Sequence, residues 1–397
     1  MAGYQGTVGP SQLATGRLRI QLADEIAKLN MDKVLLIKLL SEVGKQKTGG
    51  MEYKWLSKER RSDWLTVNSY GGAWAAGANT EGTITIPADE AWMLGEGEIL
   101  KVPSKSDVNI YVDAINTSTG EITARTYDNT STINFSSGGT GASKLLNISN
   151  TFEMGTGMGT QKSHQPSENF NYIQIIQHPY GVLEEMDHFE YEAGGKEFNE
   201  LETETMIEHE FSKEKLCFFG RKHKVAAGYM EGKYPQYFTG GLIEAVSSNV
   251  DTQVDLTKKE FAAWVNKCLY YAKKPVIFAG SLIFEALSWW LGQTLKTEQN
   301  EKTLGIAVST YMTQYGDLVK VIPHRELLKN DYAGYAFCVD LSDIKYYYLD
   351  GLDTHLEVEI QQRDLKQKIN EYRTWFGVWI GNEKRHGMLK GVETISA

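Results

Sequence analysis

A composition of 41% hydrophobic and 23% charged residues over 397 positions, with 38 glycines, excludes disordered and collagen-like chains. It leaves room for two or three domains, or for one elaborate domain with insertions. The formal net charge of −10 excludes a general nucleic-acid binder, because phosphate backbones are held by cations.

Residues 1 to about 15 are rich in Gly, Ser and Thr without pattern, which predicts a flexible arm. Between Asp24 and Val43, Ile26, Leu29, Val34, Ile37 and Leu40 fall near helical spacing, and Gly44 closes the run. After the polar stretch Lys45–Gly50, Met51–Val67 alternates as a strand does and holds the charged turn Ser57–Asp63, with Lys58, Arg60 and Arg61. From Gly71 to about Ser149, short β-type runs (82–87, 98–102, 109–115 and 121–127) alternate with polar turn residues. An antiparallel module of five or six strands is expected there.

Phe170–Gln177 is extended and amide-rich, and an acidic loop follows it. A long helix is then expected over Lys196–Phe219, carrying Glu197, Glu200, Glu202, Glu204, Glu208, Glu210 and Glu214 around a thin apolar stripe. Gly220 stands where a C-terminal cap belongs, and Arg221, Lys222, His223 and Lys224 suit the negative end of the helix dipole. The 232–241 stretch reads as a Tyr-, Pro- and Gly-rich loop. Leu256–Ala272 is amphipathic, with Thr257 and Glu260 spaced for a capping box. Pro275–Ala279 reads as a buried strand and Ser281–Trp290 as a second helix. Short strands over 303–311, 317–322, 334–340, 346–349, 356–360 and 375–380 complete a mixed α/β half.

Chemical signatures are weak. Cys217, Cys268 and Cys338 lie far apart without CxxC spacing, so a reduced, cytosolic chain is expected, with no disulfide framework or zinc knuckle. Gly138–Lys144 lacks the Gly-Lys-Ser/Thr ending of a phosphate loop. His209-Glu210 opens like a zinc-protease helix, but Lys213 stands where the second histidine belongs. No Gly-x-Ser-x-Gly elbow is present. The tryptophan and tyrosine clusters at 289–290, 346–348 and 375–379 lack interleaved cations, which points to packing rather than to base stacking. No catalytic residue, cofactor or metal is expected. Pro275–Leu291, the most apolar window, carries Glu285 and is too short to span a bilayer, so no membrane partner is expected either.

The order of these segments resembles the major capsid proteins of tailed bacteriophages, which share the Hong Kong 97-type (Johnson) fold. It is similar to the branch with a β insertion in its extended loop. The carriers are Gly95–Pro103, Asn169–Ile176, the acidic helix ending Leu216–Arg221, Thr239–Leu242, Tyr311–Leu318, Val321–Arg325 and His386–Gly391. The resemblance implies an α+β fold with an N-terminal arm over 1–50. An extended loop would cover 51–175, with its module at about 71–149. A peripheral domain would cover 176–240, with the spine helix at 196–219, an axial domain 241–350, and a return to the peripheral domain 351–397. It implies self-assembly into hexamers and pentamers of an icosahedral head around double-stranded DNA, in a virion assembled in the host cytoplasm. It also implies a separate scaffolding protein, a portal and cement or decoration proteins. Lys58, Arg60 and Arg61 are then expected to lie across Glu200, Glu204 and Glu208 of a neighbouring copy. An encapsulin-type compartment and a multidomain enzyme are the other readings.

Overall fold

The computed structural model describes Leu36 and residues 44–397, except 59–61, 73, 76–78, 104–107, 128–132, 134, 136–142, 156, 158, 160, 164, 190–196, 227–233, 292–308, 314–315, 329, 363 and 397. The arm and the first expected helix therefore lie outside the described residues, Leu36 and 44–50 apart. So do Arg60, Arg61, most of the glycine-rich 138–144 stretch and the first residues of the expected 303–311 strand. The chain divides into two compact units, residues 56–168 and the remainder.

The smaller unit is one antiparallel sheet of seven strands, in the order Trp64–Thr66, Lys144–Asn150, Glu98–Val102, Val108–Asn116, Glu121–Thr126, Glu81–Thr85 and Ser69–Tyr70. Strand alternation sends Leu100, Val102, Ile110, Val112, Ile122, Ala124 and Ile84 into a shared core with Trp74 and Phe135. The sheet exceeds the expected five or six strands. The strand Lys144–Asn150 buries only Leu145 fully, so its alternation is too faint to read along the chain.

Among the described residues the larger unit holds two main sheets beside smaller two-stranded ones. In the first, Lys45–Thr48 runs parallel to Ile344–Leu349, which pairs with the 14-residue strand Gln367–Ile380, and that strand pairs with Gln174–Leu183. His355–Glu357 pairs with the same long strand. The second has six strands in the order Val250–Thr252, Gly387–Lys390, Ala336–Asp340, Pro275–Ala279, Leu318–Pro323 and Ser309–Met312. Pro275–Ala279 lies at its centre, parallel to one neighbour and antiparallel to the other. Its alternate residues serve two cores: Val276 and Phe278 face the long helix, while Ile277 and Ala279 face the helices Lys258–Leu269 and Ser281–Leu291. A strand buried on both faces must read as a continuous apolar run, and this one does.

The Lys258–Leu269 helix begins as its sequence signals. The Thr257 hydroxyl accepts from the Glu260 N–H at 3.3 Å, and the Glu260 carboxylate accepts from the Thr257 N–H at 3.0 Å. It ends three residues before the expected Ala272. The expected 232–241 loop contains the strand Gln236–Phe238, antiparallel to His223–Val225.

Candidate functional site

The long helix, Glu197–Phe219, spans 23 residues, or about 34 Å at 1.5 Å per residue. Glu197 and Glu200 occupy its first turn, where the dipole favours anions. Glu200, Glu204 and Glu208 recur every four residues and share one stripe, with Glu204 and Glu208 exposed. Glu208 sits 3.8 Å from Lys215 across that surface. Lys58 is exposed at the end of the strand Glu52–Ser57 and belongs to the other compact unit.

The inward face is not the thin apolar stripe that the sequence predicts. Phe198, Phe211, Cys217 and Phe218 are buried there, and so are His209, Lys213 and Glu214. His209 and Lys213 do project together, as an i, i+4 pair should, onto hydroxyl groups. His209 Nε2 lies 2.7 Å from Thr374 Oγ1, the Thr374 hydroxyl donates to Thr354 Oγ1 at 2.9 Å, and the Lys213 ammonium donates to the same oxygen at 3.1 Å. The Lys213 ammonium also reaches the Glu210 carboxylate. Because Thr374 gives its proton to Thr354, His209 must carry its own on Nε2. His209 Nδ1 then accepts from His178 Nδ1, 2.9 Å away. Among the described residues, no group of three His, Cys, Asp or Glu could hold a metal ion.

Glu214 makes a second buried contact. Its carboxylate lies 2.5 Å from His324 Nε2 and accepts the Leu36 N–H at 3.0 Å. Leu36 is fully buried in the same core as Phe218 and Phe278. The one described residue of the first 43 is thus tied to the long helix by a carboxylate that the sequence leaves outside the apolar stripe.

Burial first, then the charges of Lys213 and His178, lower the His209 pKa to about 3. In the unfolded chain an imidazole titrates near 6.5. Between those values the unfolded state binds the extra proton, so the contribution of His209 to stability is complete above about pH 6.5 and is lost as pH falls toward 3. The slope from this one group reaches at most about 1.4 kcal/mol per pH unit. Urea unfolding of the unassembled subunit at pH 7 and pH 4.5 should therefore differ less for His209→Gln than for the unsubstituted chain. An equal difference in both would remove His209 from this role.

At the helix C-terminus, Gly220 does not adopt the left-handed cap conformation that its position predicts. It is required for another reason. A Cβ there would stand 2.6 Å from both the Leu216 and Thr239 carbonyl oxygens. The returning chain crosses at that point, with the Gly241 N–H donating to Gly220 O at 2.9 Å. Asn171 fastens the crossing: its side-chain amide accepts the Gly240 N–H at 2.8 Å and donates to the carbonyls of Gly240 and Val378.

Comparison with known proteins gives three kinds of result. The model of the SU10 major capsid protein family matches residues 3–393. No curated protein matches the chain. Among solved structures, one described as the capsid of an empty GTA particle aligns with 98% of this chain and 100% of its own, at 6% identity and a TM-score of 0.50. A chain of Mycobacterium phage Bobi aligns with 99% of this chain and 100% of its own, at 9% identity and a TM-score of 0.47. The holo-SrpI encapsulin of Synechococcus elongatus aligns with 59% of this chain and 78% of its own, at 10% identity and a TM-score of 0.39. At such identities a likeness speaks to fold alone.

Proposed function

The chain belongs to the SU10 major capsid protein family and is a phage major capsid protein, not an enzyme, and from that premise we propose how its parts build the shell. Copies form hexamers and pentamers of an icosahedral head that encloses double-stranded DNA. Residues 1–50 act as the arm and 51–175 as the extended loop with its inserted module. Residues 176–240 form the peripheral domain, 241–350 the axial domain, and 351–397 return to the peripheral domain. A separate scaffolding protein, a portal and cement or decoration proteins are the further partners, with assembly in the host cytoplasm.

The family match over residues 3–393 carries this reading. It favours a phage head over an encapsulin-type compartment, and it leaves the multidomain-enzyme reading without support. The layout draws further support from the smaller unit, which has its own seven-stranded core. The net charge of −10 suits an inner wall that must not hold the genome while it slides in.

In this shell the turn carrying Lys58, Arg60 and Arg61 lies across the stripe Glu200, Glu204 and Glu208 of an adjacent copy. The motive is opposite charge on two segments of which Lys58, Glu204 and Glu208 are exposed. Each such pair contributes only about 0–1 kcal/mol, but the contact repeats at every copy. The double substitution Arg60→Glu with Arg61→Glu should impair assembly. Reversing Glu200, Glu204 and Glu208 to lysine in the same chain should restore it, as counted by electron microscopy. Normal assembly of the double reversal would refute the contact.

A further inference from the structure

The acidic helix ends in a basic ribbon that the contacts above leave unused. Arg221, Lys222, His223 and Lys224 are all exposed. From His223 the chain is extended and pairs with Gln236–Phe238, Lys224 standing opposite Tyr237, and Lys222 directly precedes the strand. Both are held in place by rings. The Lys222 ammonium lies 4.6 Å from the Phe170 ring centroid, and the Lys224 ammonium 5.3 Å from that of Tyr237. Tyr172 joins the two rings, with centroids 5.6 Å from Phe170 and 5.5 Å from Tyr237. Lysines lying on an aromatic row give up less side-chain freedom on binding an anion than free ones do.

Among the described residues, Arg221, Lys222 and Lys224 make no ion pair. Capping of the helix dipole accounts for Arg221 at most, because that effect fades within the last turn. Lys224 lies five residues beyond Phe219.

The opposite end of the same helix carries the opposite sign. The turn Glu184–His188 packs there, with Glu184 and Glu185 exposed and without an ion pair among the described residues. Both ends also expose large apolar groups: Leu183 is 52% and Phe189 59% exposed beside the acidic turn, and Tyr234 is 80% exposed beside the ribbon. Charge flanking exposed aromatic surface is the usual composition of a contact between proteins.

We infer that the basic ribbon Arg221–Lys224 of one copy seats the Glu184–Glu185 turn of a second copy, joining subunits head to tail. The ribbon and the turn stand at the two ends of an element about 34 Å long, so one copy cannot satisfy both within itself. A head-to-tail contact closes into rings when its rotation closes, which is what pentamers and hexamers need. This inference rests on the shell reading above.

The test uses the full chain and a charge-swap cycle. Lys222→Glu with Lys224→Glu, and separately Glu184→Lys with Glu185→Lys, should each lower the assembled fraction by about tenfold at low salt. The four substitutions combined should recover it to within about twofold of the unsubstituted chain. Thermal unfolding of the unassembled subunits should be unchanged in all three, which separates a contact from a folding defect. Reversals that assemble like the unsubstituted chain would overturn the inference. So would a ribbon reversal that assembles normally but retains less of an added DNA duplex, since the ribbon would then face nucleic acid. Failure of the unsubstituted chain to assemble under any condition counts against the shell reading instead.

Discussion

Gly241→Val is expected to leave almost no soluble subunit, although residue 241 touches no exposed contact surface. A Cβ at Gly241 would stand 2.6 Å from the Leu216 carbonyl oxygen, 2.8 Å from that of Cys217 and 2.8 Å from the Gly220 nitrogen. All three are backbone atoms of the long helix and its exit, so no rotamer change relieves them. The helix or the returning chain must move, and Asn171 binds both the Gly240 backbone and the Val378 carbonyl at that crossing. The expected loss is about 4 kcal/mol or more, in the range that marks backbone conflict or a damaged core. Soluble yield and melting temperature measure it. Gly49→Ala is the control, since a Cβ at Gly49 meets nothing within 4 Å, and it should melt like the unsubstituted chain. A soluble Gly241→Val subunit with the same melting temperature would show that the crossing is looser than described.

The second large effect belongs to Glu214. Glu214→Ala strips the acceptor from His324 Nε2 and from the Leu36 N–H, both in a fully buried setting. Two buried polar groups losing their partner, with a cavity where the carboxylate stood, should cost about 3–5 kcal/mol. The loss should also have a local signature. With Leu36 no longer tied to the helix, limited proteolysis should cut the first 43 residues faster. Glu214→Gln keeps an acceptor oxygen and should lose about 1 kcal/mol. If Glu214→Ala unfolds in urea within about 1 kcal/mol of the unsubstituted chain, the buried contact contributes little and the tether is not real.

The two substitutions also show which parts of the fold could be read in advance. Local patterns were legible: the capping box at Thr257 and Glu260, the two-faced strand Pro275–Ala279, and the existence and span of the long helix. These are set by neighbours three or four residues apart, or by uniform apolarity. The polar interior of the long helix was not legible. Glu214 meets residues 110 and 178 positions away, and His209 meets one 165 positions away. No window of sequence contains both partners, so the sequence leaves these glutamates and lysines outside the apolar stripe. Gly220 was read for its place at a helix end, whereas the demand on it comes from a chain that returns at Gly241. The basic ribbon was legible only as a run of cations. Its aromatic support arrives from Phe170, Tyr172 and Tyr237, on strands that the sequence keeps apart.

Stability at two positions, charge at two contacts and the protonation of one histidine all bear on a subunit shaped for repetition. Each concerns how the long helix is held within its own chain or presented to the next. The most direct test of the whole account is electron microscopy of the purified chain, alone and together with the scaffolding protein proposed above. The account predicts closed isometric shells, or free rings of five and six copies, in at least one of the two samples. A monodisperse small oligomer in both would contradict it.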